Sequence, residues 1–254
     1  MHTDADLPLP VKTYLALRFP PPSSNRPYVI LNMISSADGK AVVGSSEAAL
    51  GSPTDKLVLQ ALRVHADAIL NGSGTAQATG LSPLIRDPRL RQAREQRGKT
   101  GPPLQAIISR SGRLPLDAPF LRSRDFRSVL FVGASADPEQ VAQLRRTDRS
   151  IEVLRPEEGP EAVLRRLRLD YGIKLLLLEG GPTLNESFFR LGLIDEFFMT
   201  LAPHVVAGRD TLTVVEGQAF DKRTMPALSL ITALSHCETN EVYLHWRVAL
   251  KTTG

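Results

Sequence analysis

Six short apolar runs, separated by stretches with helical spacing, constrain this chain more than any other feature. They are Tyr28-Val29-Ile30-Leu31-Asn32-Met33-Ile34, Ala68-Ile69-Leu70, Leu104-Gln105-Ala106-Ile107-Ile108, and the runs at 129–132, 151–154 and 174–178. A strand that is apolar on both faces must be covered on both faces. Strands of that kind alternating with helices predict a mostly parallel sheet inside an α/β fold. Ser52-Pro53-Thr54-Asp55 opens a helix with a capping hydroxyl, a proline in the first turn and an acid at the positive dipole end. Its buried stripe is Leu57, Val58, Ala61 and Leu62. Further helices are expected near 138–147, 160–171 and 183–192. The last runs, at 197–201, 228–231 and 242–248, come with turns but little helix. They are expected to finish the sheet with antiparallel strands.

A chain of 254 residues, 42% hydrophobic and 23% charged, is long enough for one substantial core. Residues 1–26 read as an N-terminal extension ending in the stiff, proline-rich stretch Phe19-Pro20-Pro21-Pro22; residues 27–254 read as one domain. A single cysteine, Cys237, excludes a disulfide framework and a thiolate zinc site. No run approaches the roughly 18 apolar residues that a membrane span requires. The acidic start is unlike a secretory leader, so a cytoplasmic protein with no membrane partner is expected. The net charge is +4, and the segment from Arg86 to Lys99 holds six cations against two acids. This segment has no aromatic residue, which argues against nucleic acid. A solvated basic loop or a site for a small phosphorylated ligand remain as readings. The stretch 79–102 is long for a loop, which points to a functional or mobile segment.

Several chemistries fail on their spacing. No GxGxxG follows a strand, and no GxSxG elbow exists. Gly98-Lys99-Thr100 resembles the end of a phosphate-binding loop, but Ala93 stands where its first glycine should be. His2, His65, His204, His236 and His245 show no metal spacing, so no metal site is expected. Two features survive. In Leu178-Glu179-Gly180-Gly181-Pro182-Thr183-Leu184 a strand ends in an acid and a glycine pair, then a helix begins. Glycines let a ligand approach the main chain, and the helix start presents free N–H groups suited to a pyrophosphate; a bare tight turn is the alternative. Asp67-Ala68-Ile69-Leu70-Asn71-Gly72-Ser73-Gly74-Thr75 is a second glycine-edged strand end. Two such ends on one sheet edge suit a dinucleotide.

Together with Asn32-Met33-Ile34-Ser35-Ser36-Ala37-Asp38-Gly39-Lys40, Leu62-Arg63, Ser109-Arg110-Ser111-Gly112-Arg113-Leu114-Pro115 and Leu193-Ile194-Asp195-Glu196 with Ala202-Pro203 and Gly208, these segments resemble the pyrimidine reductase domain of riboflavin biosynthesis over about residues 27–248. The resemblance implies a dihydrofolate-reductase-like three-layer α/β/α fold, a homodimer, NADPH as hydride donor, and a phosphorylated ribosylamino-pyrimidinone whose ribose is reduced to ribitol. Carried over by position, Thr75, Ser109, Arg110, Gly180, Gly181, Pro182, Thr183 and Leu184 would hold the cofactor, with Arg110 suited to its 2′-phosphate. Glu179, Arg63 and Asp38 would face the substrate, with Glu179 and Asp38 as the catalytic candidates.

One departure stands out. The family usually follows its threonine with an Asp-Asp-Pro-type loop ending in arginine, whereas Thr75 is followed by Ala76-Gln77-Ala78-Thr79-Gly80 and an Asp87-Pro88-Arg89-Leu90 comes later. Either the loop has grown, so that Arg86, Arg89 or Arg91 meets the substrate phosphate, or the substrate has changed. Reduction of a pterin such as dihydrofolate, or NADPH binding without catalysis, therefore stand as alternatives.

Overall fold

The computed structural model describes residues 7–44, 49–79 and 81–249. Its elements in chain order are α1 (Leu9–Leu15), β1 (Tyr28–Ser36), α2 (Pro53–His65), β2 (Ala68–Gly72), α3 (Ser73–Thr79), α4 (Pro88–Gln96), β3 (Leu104–Ser109), α5 (Pro119–Arg122), β4 (Ser128–Val132), α6 (Pro138–Arg145), β5 (Ser150–Val153), α7 (Pro160–Leu169), β6 (Leu175–Leu178), α8 (Pro182–Arg190), β7 (Glu196–Ala202), β8 (Leu228–His236) and β9 (Glu241–Val248). The strands form one sheet in the order β5-β4-β3-β2-β6-β1-β7-β9-β8.

The period of two within each central strand splits the core between the two faces. Val29, Leu31, Leu70, Leu176 and Leu178 pack with Val163, Leu164 and Leu167 of α7 and Phe188 and Phe189 of α8. The alternate residues Ile30, Ile69, Leu175 and Leu177 pack with Val58, Ala61 and Leu62 of α2 and with Val11, Tyr14 and Leu15 of α1. This is the expected three-layer arrangement around a mostly parallel sheet. The cap of α2 is also as read, since the Ser52 hydroxyl accepts from the amides of Thr54 and Asp55. Helix α1 lies inside the stretch read as an extension, and its Val11 and Tyr14 are almost fully buried.

Two local expectations are corrected. The 197–201 run was expected to be antiparallel, but β7 pairs with β1 in parallel, from Ile30 opposite Glu196 to Ser36 opposite Ala202. Helix α8 is the reason, because it acts as the crossover from β6 and returns the chain in the same direction. The reversal comes at β9, which is antiparallel to both β7 and β8. Nor are the described residues of the stretch read as a loop, 81–102, open throughout: Asp87 caps α4 by accepting from the amides of Arg89 and Leu90. Two of the arginines there serve the fold. Arg91 donates to the carbonyls of Ile85 and Arg86, and Arg97 to those of Ala93 and Leu15.

Candidate active site

Strand order reverses around β6, which was laid down late yet sits between β2 and β1. Open α/β sheets bind ligands at the carboxyl ends of strands near such a reversal. A cavity of about 820 Å³ lies there, lined by Gly72–Thr75 at the end of β2, Ile108–Arg110 at the end of β3, Gly133 after β4 and Gly181–Leu184 after β6.

Two turns meet across this cavity by their main chains. The Gly72 amide donates to the Gly180 carbonyl at 2.9 Å, and the Gly181 amide donates to the Thr75 hydroxyl at 3.1 Å. Gly180 and Gly181 have φ of 87° and 43°, in the region where a side chain is strained. A Cβ on Gly180 would sit 3.0 Å from the Met33 sulfur, and one on Gly181 would sit 3.4 Å from the Thr75 hydroxyl oxygen. Gly181 is the N-cap of α8, and no side chain caps the helix. The Thr183 and Leu184 amides therefore have no acceptor within the helix and lie at the cavity wall. The start of α7 is built alike: Gly159 caps it without a side-chain bond, and Glu158, Gly159 and Pro160 line the same cavity.

The expected cofactor residues Thr75, Ser109, Arg110, Gly181, Pro182, Thr183 and Leu184 all line this cavity; Gly180 does not. The Ser109 hydroxyl accepts from the Gly112 amide, which shapes the turn that carries Arg110. Arg110 is exposed. Glu158 is committed to Arg155 and Arg166, and the bond it accepts from the Arg155 amide, followed by those from the two side chains, lowers its pKa to about 2.

The remaining site residues fall elsewhere. Arg63 and Glu179 form a bidentate ion pair with side chains only 12% and 10% exposed. Arg63 also donates to the carbonyls of Ser82 and Leu84. Asp38 accepts from the Ser36 hydroxyl at 2.6 Å and from the amides of Val206 and Ala207 at 3.0 and 2.7 Å. Those bonds, the Ser36 hydroxyl first, pull its pKa down to about 2, so Asp38 is ionised near neutrality and holds no proton to give. Arg89 folds back onto the Asp87 carboxylate, at 2.7 Å, and does not line the cavity.

Residues missed by sequence reasoning include Val42, Gly133, Leu154 and the Glu158–Pro160 turn, and a group from the segment 203–227. Asp210, Thr211 and Leu212 line the cavity. The segment is fastened to α8 through the Glu216 amide on the Pro182 carbonyl and the Asn185 amide on the Val214 carbonyl. A left-handed Ala207-Gly208 pair was its one local signal. Among the described residues no group of three His, Cys, Asp or Glu could hold a metal ion, and no helix is long and apolar enough to cross a membrane.

The family model described as RibD C-terminal domain matches residues 27–242. The 2,5-diamino-6-ribosylamino-4(3H)-pyrimidinone 5′-phosphate reductase of Methanothermobacter thermautotrophicus is 34% identical over 197 residues, covering 78% of this chain and 87% of that protein. The protein of the same name from Archaeoglobus fulgidus is 30% identical over 199 residues, covering 78% and 90%. A crystal structure of a pyrimidine reductase-like protein from Corynebacterium diphtheriae superposes with a TM-score of 0.78 at 19% identity, covering 98% of this chain and 97% of that one. The fold is thus that of a pyrimidine reductase-like protein.

Proposed function

The chain belongs to the RibD C-terminal domain family and is an oxidoreductase of the pyrimidine reductase type; from that premise we propose that it uses NADPH to reduce the ribose of 2,5-diamino-6-ribosylamino-4(3H)-pyrimidinone 5′-phosphate to a ribityl chain. The carrying observation is the Gly180-Gly181 corner, where the uncapped start of α8 leaves the Thr183 and Leu184 amides facing a cavity of dinucleotide size. A Cβ at Gly180 would meet the Met33 side chain and one at Gly181 the Thr75 hydroxyl, so a side chain at either position would disturb the wall of the cavity.

Bound NADPH supplies the hydride that reaches the ribose C1′. The chain supplies placement. Thr75, Gly181 and the first turn of α8 hold the diphosphate, and Arg110 pairs with the 2′-phosphate. That assignment favours NADPH over NADH, because Glu158 is spent on its arginines. Arg63 and Glu179 hold the substrate ring as a preformed pair that both acceptor and donor groups can address. Asp38 positions the segment that lines the cavity; it is not the acid. Arg89 receives no substrate role.

The exposed β8 supports a homodimer, since Leu228, Leu230 and Ile231 project from a strand at the sheet edge. A cytoplasmic setting suits an NADPH-dependent reductase with one exposed, unpaired cysteine.

The test is NADPH oxidation with the phosphorylated pyrimidine and, separately, with dihydrofolate. Turnover confined to the pyrimidine supports the proposal. Turnover with dihydrofolate alone replaces it with the pterin reading, and binding of NADPH without turnover on either makes the chain a non-catalytic binder.

A further inference from the structure

The end of the sheet opposite the cofactor cavity carries a second cleft, of about 760 Å³, that the reductase reading leaves unused. It lies beneath the amino ends of β2 to β6, where Asp67, Leu104, Arg127, Arg149 and Ile173 enter their strands, and it shares no lining residue with the first cavity. Five of its lining residues are cationic (Arg94, Lys99, Arg124, Arg127 and Arg149) and three are acidic (Asp67, Asp125 and Asp148).

Arg94 is the unusual member, because it is 5% exposed and yet meets no carboxylate. Its Nε donates to the Gly101 carbonyl, and its Nη1 donates to the carbonyls of Arg63, Val64 and Ala66. Nη2 makes no hydrogen bond among the described residues, although the side chain lines the cleft. Burial pulls the Arg94 pKa down to about 10, which leaves it charged near neutrality. Burying a guanidinium against carbonyls alone is costly, so an anion that reaches its open edge gains more there than at an exposed arginine. Asp67 is the nearest negative charge, but its carboxylate already holds Lys99 and the amides of Lys174 and Leu175. Arg149 is likewise spent, on the carbonyls of Leu121, Ser123 and Phe126. Arg124 and Arg127 are exposed, and their side chains make neither an ion pair nor a hydrogen bond among the described residues. On the acidic side, Asp125 is capped by the Ser123 hydroxyl, and Asp148 sits exposed at the rim.

Gly98-Lys99-Thr100, the segment resembling a phosphate loop, forms one wall of this cleft. It follows the carboxyl end of α4 and opens no helix, so it is not that loop. Any attraction for anions here comes from side-chain charge.

We propose that this cleft is a binding site for a small phosphorylated metabolite carrying at least two phosphates, held by the open edge of Arg94 and by Arg124 and Arg127. Two or more phosphates follow from three uncommitted guanidinium edges facing one space of that size. The inference stands apart from the reductase assignment, since it uses none of the same residues.

Inorganic tripolyphosphate is the probe, titrated calorimetrically into the full chain at physiological ionic strength, with and without saturating NADPH. The comparison protein is the double variant Arg124→Ala/Arg127→Ala, whose changes are at exposed positions outside the reductase machinery. We expect saturable one-to-one binding that persists with NADPH present and weakens at least tenfold in the double variant, whose melting temperature stays that of the parent. A parallel titration with ADP should show the same loss. Absence of saturable binding to the parent, equal affinity in the double variant (an adventitious ion only), or full competition by NADPH would each overturn the proposal.

Discussion

Arg63 on α2 and Glu179 at the end of β6 are 116 residues apart, yet they close a two-pronged ion pair, Nε to Oε1 and Nη2 to Oε2, both at 2.7 Å. The pair joins the helix on one face of the sheet to the strand end that begins the glycine corner, and both partners are largely shielded from water. Such a pair costs desolvation to form and is strongly missed when halved.

Glu179→Gln removes the negative charge and leaves the Arg63 guanidinium with carbonyl partners alone. We expect a loss of about 1–3 kcal/mol in stability and a fall in kcat/KM for the pyrimidine of about tenfold or more. NADPH affinity should change little, because Glu179 does not line the cofactor cavity. Urea melts together with steady-state kinetics check both parts. Unchanged turnover would remove Glu179 from the substrate-binding set.

Arg110→Ala tests the reading of the 2′-phosphate. Loss of a paired guanidinium–phosphate contact should raise the Kd for NADPH about tenfold, or roughly 1.4 kcal/mol. The Kd for NADH should stay where it was. Fluorescence titration of both nucleotides reads the ratio, and an equal effect on the two would place the 2′-phosphate elsewhere.

Asp55, in the first turn of α2, has its pKa pushed up to about 6, chiefly by burial, with a hydrogen bond from Thr200 opposing and the Glu241 charge adding. An acid whose folded pKa lies above its ordinary value of 3.8 weakens the fold as pH rises. Below the ordinary value both states are protonated and nothing is lost. Between it and about 6 the unfolded chain ionises first, and above about 6 the loss is complete, at about 3 kcal/mol. Asp55→Asn should therefore stabilise the protein at pH 7.5 and change little at pH 4. Chemical denaturation at the two pH values decides it; a variant weaker at pH 7.5 would mean that the carboxylate is satisfied in its charged form.

Leu230→Lys places a charge on the exposed edge strand β8, where Leu230 is 59% exposed. If this edge joins two copies, light scattering should show the parent as a dimer and the variant as a monomer, with the monomer's melting temperature within a few degrees of a dilute parent sample. A dimer that survives the substitution would move the interface to another face.

The central strands and their helices were readable because each carries its own signal. Val29-Ile30-Leu31 is apolar on both faces, and Ser52-Pro53 stops and starts a helix whatever lies around it. The glycine corner was readable for the same reason: Gly180 and Gly181 stand together between a four-leucine strand and a proline. Such features are governed by sterics and local hydrogen bonding over a few residues, and the linear order records them directly.

Other features depend on which distant groups meet, and a local pattern carries no record of that. The direction of β7 followed from where α8 returned the chain, not from the composition of Phe197-Phe198-Met199. The six cations between Arg86 and Lys99 left both a solvated basic loop and a site for a small phosphorylated ligand open. In the fold Arg89 turns to Asp87, Arg97 to the Leu15 carbonyl, and Arg94 to the carbonyls of Arg63 and Val64 with one edge left at the second cleft, because the carbonyl ends of α2 and α1 lie within reach of α4. Asp38, a catalytic candidate by position, became a clasp for Val206 and Ala207, 168 and 169 residues along the chain. Charge and hydrogen-bonding capacity are written in the chain, but their expenditure is settled only when packing brings the partners together.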